Sequence, residues 1–372
     1  MENIITVYAI CKNEEKFVKR WVESMKEADY IVVVDTGSTD NTIAEFKKYG
    51  IEPYKTTINP FRFDEARNVA LNLCPKDTTI FVSTDLDEVF DPGWADILRK
   101  RWTKDHVRAN YKYAWSSLSN GEPGRIFTYD KIHNKDWKWK YPVHELLVNV
   151  NTNSNEYHID NTLNVFNDIF LHHYPDQNKS RGSYLELLEL RAQEDKDDYY
   201  GLIYLGHEYY YRQRYKKSID TLETVLERFF DRMTQTERAS CYLFMGDDYR
   251  ALGDNNSAIK SYISAIQIED SYREPYMAMA KLYLDMKEYD SAIFYVKKGV
   301  KKSYRHYSWL ERDKSWNSEP YDILSVASYY LGNKRDSLSY SIKALSLNGQ
   351  EQRLKDNLEL ILRNTTDEEL IF

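Results

Sequence analysis

Three cysteines in 372 residues, with no Cys-x-x-Cys spacing among them, leave no thiolate zinc site and no disulfide framework. Cys11, Cys74 and Cys241 lie far apart, as suits a reducing compartment. Basic blocks are missing too. Lys and Arg total 51 against 59 acidic residues, a formal charge of −8, so no nucleic-acid partner is expected. No apolar run reaches the roughly 18 residues that a membrane-crossing helix needs. The start, Met1 to Val7, lacks a basic segment followed by an apolar one, so it does not read as a secretion signal. These absences together point to a cytoplasmic setting. Tyrosine, by contrast, is abundant at 32 residues, and each ring needs a place with both apolar and polar neighbours. The length suits two domains or three.

The first half alternates strand and helix signals. Strand-like runs cover Ile4–Cys11, Tyr30–Val34, Ile51–Tyr54 and Thr79–Thr84; helical spacing covers Glu14–Ala28, Thr42–Tyr49 and Asp64–Leu73. This order predicts a mostly parallel sheet with covering helices, whose ligands sit beyond the carboxyl ends of the strands. Asp35 and Asp85 both fall at such ends. Asp85-Leu86-Asp87-Glu88 is the sharpest feature: two carboxylates one residue apart at a strand end point to one side. Hard oxygen ligands in a pair suit Mg²⁺ or Mn²⁺ carrying a diphosphate. The same pair also fits a solvated turn or a helix cap. Val34-Asp35-Thr36-Gly37-Ser38-Thr39-Asp40 ends a strand in an acid, turns at a glycine and offers caps for the next helix. Arg67, near the start of a helix, suits a phosphate or a base, or a surface ion pair.

From about Tyr184 the pattern is helical only and repeats itself. Gly206, Gly246, Ala280 and Ser325 open similar stretches, spaced 40, 34 and 45 residues apart. Twelve residues after each stands Ser218, Ala258, Ala292 or Ser337. Small residues at these positions let paired helices approach closely. The pattern resembles the tetratricopeptide repeat, a helix-turn-helix unit of about 34 residues that stacks into a solenoid. The middle two units match best, and Ser303–Ser318 reads as an insertion. Many tyrosines fall where such repeats pack; a ligand surface is the other reading.

Four words recur in the order found in glycosyltransferase family 2, the nucleotide-sugar enzymes of GT-A fold. They are Cys11-Lys12-Asn13-Glu14-Glu15, the Asp35 segment, Ala66-Arg67-Asn68 and Asp85-Leu86-Asp87-Glu88. The first half of the chain thus resembles that family. The resemblance implies that Asp35, with Asn13, Glu14 and Arg67 nearby, contacts the nucleoside of a UDP-sugar. It implies that Asp87 binds the metal, Mn²⁺ or Mg²⁺, with Asp85 on ribose or a metal-bound water. Thr36 stands where a common family form has a second acid.

Further residues follow from the reaction. An inverting displacement needs a base for the acceptor on the opposite face of the sugar. Val143-His144-Glu145 resembles the family branch of lipopolysaccharide glucosyltransferases and repeat-bearing peptide glycosyltransferases. Glu145 is the base candidate and His144 its neighbour; a structural ion pair of Glu145 with Arg125 is the other reading. In Leu171-His172-His173-Tyr174-Pro175, His173 matches the late metal-site histidine better than His172. Lys179 and Arg181 resemble basic residues that close over the diphosphate, or begin a solvated helix. Asp136-Trp137-Lys138-Trp139-Lys140-Tyr141 suits either sugar stacking or a strand with both Trp on one face.

The expectation is therefore a GT-A domain over 1–182 and a tetratricopeptide-like domain over 183–372. It would move a hexose from a UDP-sugar to a peptide or protein, the repeats aiding capture of the acceptor or formation of a homodimer. A cell-envelope or lipid-linked saccharide is the second acceptor, and a non-catalytic repeat scaffold the reading of another class.

Overall fold

A computed structural model describes residues 3–117, 121–152, 161–176, 182–306 and 309–366. Lys179 and Arg181 lie outside the described residues. The chain forms two compact units, one of residues 1–116 and 126–195, the other of 117–125 and 196–372. The sequence reading divides the chain at 182/183, whereas the compact units divide at 195/196.

In the first unit the described elements run β1 (Ile5–Cys11), α1 (Glu15–Met25), β2 (Tyr30–Asp35), α2 (Thr42–Lys47), β3 (Tyr54–Lys55), α3 (Phe63–Asn72), β4 (Ile80–Ser83) and β5 (Glu88–Phe90). They continue with α4 (Trp94–Arg101), β6 (Arg108–Ala114), β7 (Ile126–His133), β8 (Trp137–Lys140), β9 (Leu146–Asn149), β10 (Thr162–Asn164), β11 (Phe170–His173) and α5 (Tyr184–Glu194). Every residue of β1 is buried, as expected of a continuous apolar strand covered on both faces. On α1, Phe17, Val18, Trp21, Val22 and Met25 are buried, the stripe that helical spacing predicts.

Among the described residues the main sheet has nine strands, ordered β3-β2-β1-β4-β7-β6-β11-β5, with β10 also on β6. Its first four are parallel, as the alternating pattern implies. Beyond β4 the sheet is mixed: β7 is antiparallel to both its neighbours, and β5 is antiparallel to β11. The change at β7 has a consequence at the rim. The antiparallel strand returns Lys131 to the carboxyl end of β4, beside the acids there. β8 and β9 form a separate ribbon. Trp137 and Trp139 turn to one side of β8 and are buried with Tyr8, Ile10 and Phe81, which makes them core residues.

Among the described residues, the second unit stacks α6 (Tyr199–Tyr211), α7 (Tyr215–Phe229), α8 (Gln235–Ala251), α9 (Asn255–Ile268), α10 (Glu274–Asp285), α11 (Tyr289–Val300), α12 (Glu319–Tyr330), α13 (Lys334–Leu347) and α14 (Gln352–Arg363). The small residues stand where paired helices touch. A Cβ on Gly206 would lie 2.6 Å from Leu222, and one on Gly246 would overlap the Tyr262 ring. Ser325 donates its hydroxyl to the carbonyl of Ser337 at 2.9 Å, joining the last small pair directly. A capping box starts α8, with Thr234 and Glu237 exchanging bonds at 3.3 and 2.8 Å. Part of the Ser303–Ser318 insertion is a 3₁₀ turn, Asp313–Trp316, whose Trp316 donates to Glu274 at 2.9 Å. Arg125 pairs with Asp313 of this turn at 3.7 Å. Tyr262 and Tyr272 are fully buried, in line with a packing role, while Tyr211, Tyr304 and Tyr330 are exposed. Among the described residues no helix is long and apolar enough to cross a membrane.

Candidate active site

The first part of the site is the turn after β2. Asp35 is almost wholly buried and accepts the backbone N–H groups of Gly37 and Ser38, each at 3.1 Å. Gly37 has φ +112, which an L side chain resists, so a glycine is needed to close the turn. Asn13, itself at φ 55, accepts from the N–H of Thr39 at 2.7 Å, while its own N–H bonds Ser38 Oγ at 2.9 Å. The Glu14 N–H donates to Thr42 Oγ1 at 2.7 Å. Asn13 and Glu14 thus brace the turn through the first strand's loop. Thr36, the departure from the family word, turns its hydroxyl to the carbonyl of Cys11 at 3.1 Å. Asp35, Gly37, Ser38, Ile43, Lys55, Thr56 and Thr57 line a cavity of about 270 Å³.

The second part follows β4. Leu86 is fully buried in the turn between β4 and β5, while Asp85 and Asp87 on either side of it are partly exposed. Glu88, buried under them, accepts the N–H of Asp85 at 2.8 Å and the hydroxyl of Tyr113 at 2.9 Å. Burial raises the Glu88 pKa; Lys131 opposes the rise and the charges of Asp85 and Asp87 add to it. The antiparallel register of β5 and β11 sets His173 opposite Glu88. His173 Nε2 then lies 3.3 Å from Asp87 Oδ2, and its Nδ1 is fixed by the carbonyl of Trp115 at 2.9 Å. Alternation along β11 sends His172 the other way, to Asp91 at 3.1 Å. Burial works against a charge on His173, yet Asp87 and Glu88 hold its pKa above the ordinary value.

Arg67 joins this acidic turn to the base candidate. It is buried on α3, where its Nη2 bonds Asp85 Oδ1 at 2.6 Å, its Nη1 reaches Ser83 Oγ at 3.4 Å and its Nε pairs with Glu145 Oε1. The other oxygen of Glu145 makes no hydrogen bond among the described residues. So Glu145 does form an ion pair, and its partner is Arg67, where the alternative reading of the sequence names Arg125. Lys131, buried on β7, lies 3.4 Å from Asp85 and 3.9 Å from Glu88. Burial opposes its charge, but those two acids hold its pKa well above the usual value. His144 adopts φ 47, and its ring meets the edge of Tyr184 at 5.8 Å between centroids.

Sequence reasoning missed Lys131 and Arg191. Lys131 carries a faint signal, a Lys between Asp130 and Ile132 near the end of β7. Arg191 carried only its place among leucines on α5. Among the described residues, no three His, Cys, Asp or Glu side chains gather to hold a metal unaided. Asp87 and His173 instead supply one oxygen and one nitrogen, a partial set that fits a divalent cation completed by diphosphate oxygens.

Residues 6–154 match the glycosyl transferase family 2 profile. The chain carries a family 2 glycosyl transferase domain. Residues 239–272 and 274–301 match a tetratricopeptide repeat profile, the two middle units of the sequence pattern. The family 2 domain has the GT-A architecture described above, and the tetratricopeptide repeats follow it. Over 98 residues the chain is 31% identical to the lipopolysaccharide core biosynthesis glycosyltransferase LpsC of Rhizobium meliloti; the match covers 25% of this chain and 35% of that relative. Of solved structures, the Cut9–Hcn1 assembly of the APC/C aligns at TM-score 0.42 and 15% identity, covering 50% of this chain and 34% of that one. A thermophilic tetratricopeptide protein of Thermus thermophilus aligns at 0.37 and 16%, covering 48% and 89%.

Proposed function

We propose that this family 2 domain makes the chain a metal-dependent, inverting glycosyltransferase, moving a hexose from a UDP-sugar to a peptide or protein side chain. The carrying observation is that one guanidinium, Arg67, touches both Asp85 of the acidic turn and Glu145. A donor-side acid and a candidate base therefore lie within one side chain of each other. In this reading the Asp35 turn receives the nucleoside and Asp85 the ribose. Asp87 and His173 would hold Mn²⁺ or Mg²⁺, which when bound offsets charge building on the leaving diphosphate. Glu145 takes the acceptor proton through its second oxygen, while Arg67 fixes the carboxylate by the first. His144, next in the chain, borders the acceptor side, and Lys179 and Arg181, which follow the late histidine in sequence, are the basic residues proposed for the diphosphate. The setting proposed is cytoplasmic.

A peptide or protein acceptor is favoured by the repeats, which as a class present surfaces to peptides and to like partners, a homodimer included. A cell-envelope saccharide is the second reading, favoured by the stretch shared with LpsC, whose name places it in lipopolysaccharide core synthesis. The test is UDP release from UDP-glucose with Mn²⁺, with and without chelator. Asp87→Ala is expected to lower metal-dependent turnover by about 100-fold or more. Turnover indifferent to chelator and to Asp87→Ala would overturn the metal reading. Failure of UDP and Mn²⁺ to raise the melting temperature, together with no turnover, would leave the scaffold reading standing.

A further inference from the structure

The loop that carries Glu145 is held in an unusual backbone shape. Tyr141 has φ 85 and His144 φ 47, two non-glycine residues within four positions in the left-handed region. L side chains persist there only where the surroundings fix them, and such sites cluster where geometry matters for function. What fixes this loop comes from α5 and the residue that follows it. Arg191 is completely buried. Its Nη1 donates to the carbonyls of Val143 at 3.0 Å and His144 at 2.6 Å, the two residues preceding Glu145. Its guanidinium also lies 4.0 Å over the Tyr141 ring. One residue past the helix, Asp195 accepts from the Tyr141 hydroxyl and from Lys140 Nζ, both at 2.9 Å. From α3, the Phe63 N–H bonds the carbonyl of Pro142 at 3.0 Å.

We propose that Arg191 is a positioning residue for the transfer reaction: from α5 it clamps the Tyr141–Glu145 loop so that Glu145 faces Arg67 and the acidic turn. The proposal rests on Glu145 being the base. Arg191 suits this task because a planar guanidinium can bond two carbonyls and cover a ring at once, which a lysine ammonium cannot do with fixed geometry. Asp195 secures the far end of the same loop, so the left-handed residues are pinned on both sides. The loop is thereby set before any acceptor arrives.

The experiment compares wild type with Arg191→Met, Arg191→Lys and Asp195→Asn in the full chain. Arg191→Met is expected to lower kcat for Mn²⁺-dependent UDP-glucose hydrolysis by about 10- to 100-fold, the range that a small misplacement of a reacting group produces. Affinity for UDP with Mn²⁺ should stay within about twofold, because the Asp35 turn is untouched. Arg191→Lys should recover part of kcat. Hydrogen exchange at residues 143–147 should quicken about tenfold in Arg191→Met, with no change at Gly37 and Ser38. That arm needs no turnover. Unchanged exchange in the loop, or kcat and UDP affinity falling together, would overturn the proposal. Glu145→Gln separates the two inferences: if it keeps full turnover while Arg191→Met still loosens the loop, the base assignment fails, and with it the catalytic role drawn here for Arg191.

Discussion

Two acid clusters, one in each unit, are balanced in different ways. At the rim of the first, Asp85, Glu88 and Glu145 gather around Arg67 and Lys131, so each acid has a cation close by. In the second, Asp247 is answered by Arg312 at 2.7 Å and by the Tyr262 hydroxyl at 2.7 Å, but its neighbour Asp248 is not matched in this way. Burial raises the Asp248 pKa to about 7, the Ser218 hydroxyl acting against the rise and the charge of Asp247 adding to it. A paired network keeps charge in place for chemistry. An unmatched acid inside a helical stack is a group better tolerated neutral, and it makes that unit sensitive to pH.

The largest expected effect tests the paired side. Arg67→Met leaves Asp85 and Glu145 without their shared cation, and should destabilise the first unit by about 3–5 kcal/mol, the usual penalty for breaking a buried pair. Urea unfolding followed by hydrogen exchange checks it, and a change under about 1 kcal/mol would mean that water replaces the guanidinium. Next comes the unmatched side. The folded Asp248 pKa lies above its unfolded value of 3.8, so the folded state binds the extra proton between those values. Its stability is therefore fully present below pH ~4 and declines as pH rises to about 7. Asp248→Asn should remove that decline, gaining ~2–4 kcal/mol above neutrality at about 1.4 kcal/mol per pH unit and little at pH ~4. Equal effects at pH 4 and pH 8 would show that the carboxylate is not the source. The smallest effect concerns packing alone. Gly246→Ala drives a methyl into the Tyr262 ring and should cost about 1–3 kcal/mol in the second unit. It should leave UDP release unchanged, since it touches none of the acids around Arg67 and Lys131.

Much of this arrangement is legible in the sequence because it is local. Apolar runs, a glycine turn and helical spacing fix β1 to β4 and their helices within a few residues of the observed bounds. The small-residue pairs mark the helix contacts of the repeats. What a single sequence hides is pairing at long range. Glu145 finds Arg67, 78 positions away. Lys131 meets Asp85 across 46 positions through an antiparallel strand that the alternating pattern does not announce. The helical character of α5 is plain from its residues, but its attachment to the first unit depends on Arg191 bonding carbonyls that have no sequence signature. The tryptophans of β8 show the reverse case, where period-two alternation alone was enough to foresee which face they share.

The pairing of β5 with β11 has an evolutionary consequence. Because β11 is held by β6 on its other edge as well, a slip of one residue that set His172 opposite Glu88 would have to shift both ladders at once, and it would turn His173 to the opposite face. A slip of two would bring Leu171 or Pro175 to that place. Lineages of this domain should therefore take up length drift in the loop before β11 and keep the strand's register, the histidine doublet offering a spare imidazole only to a slip of one in one direction.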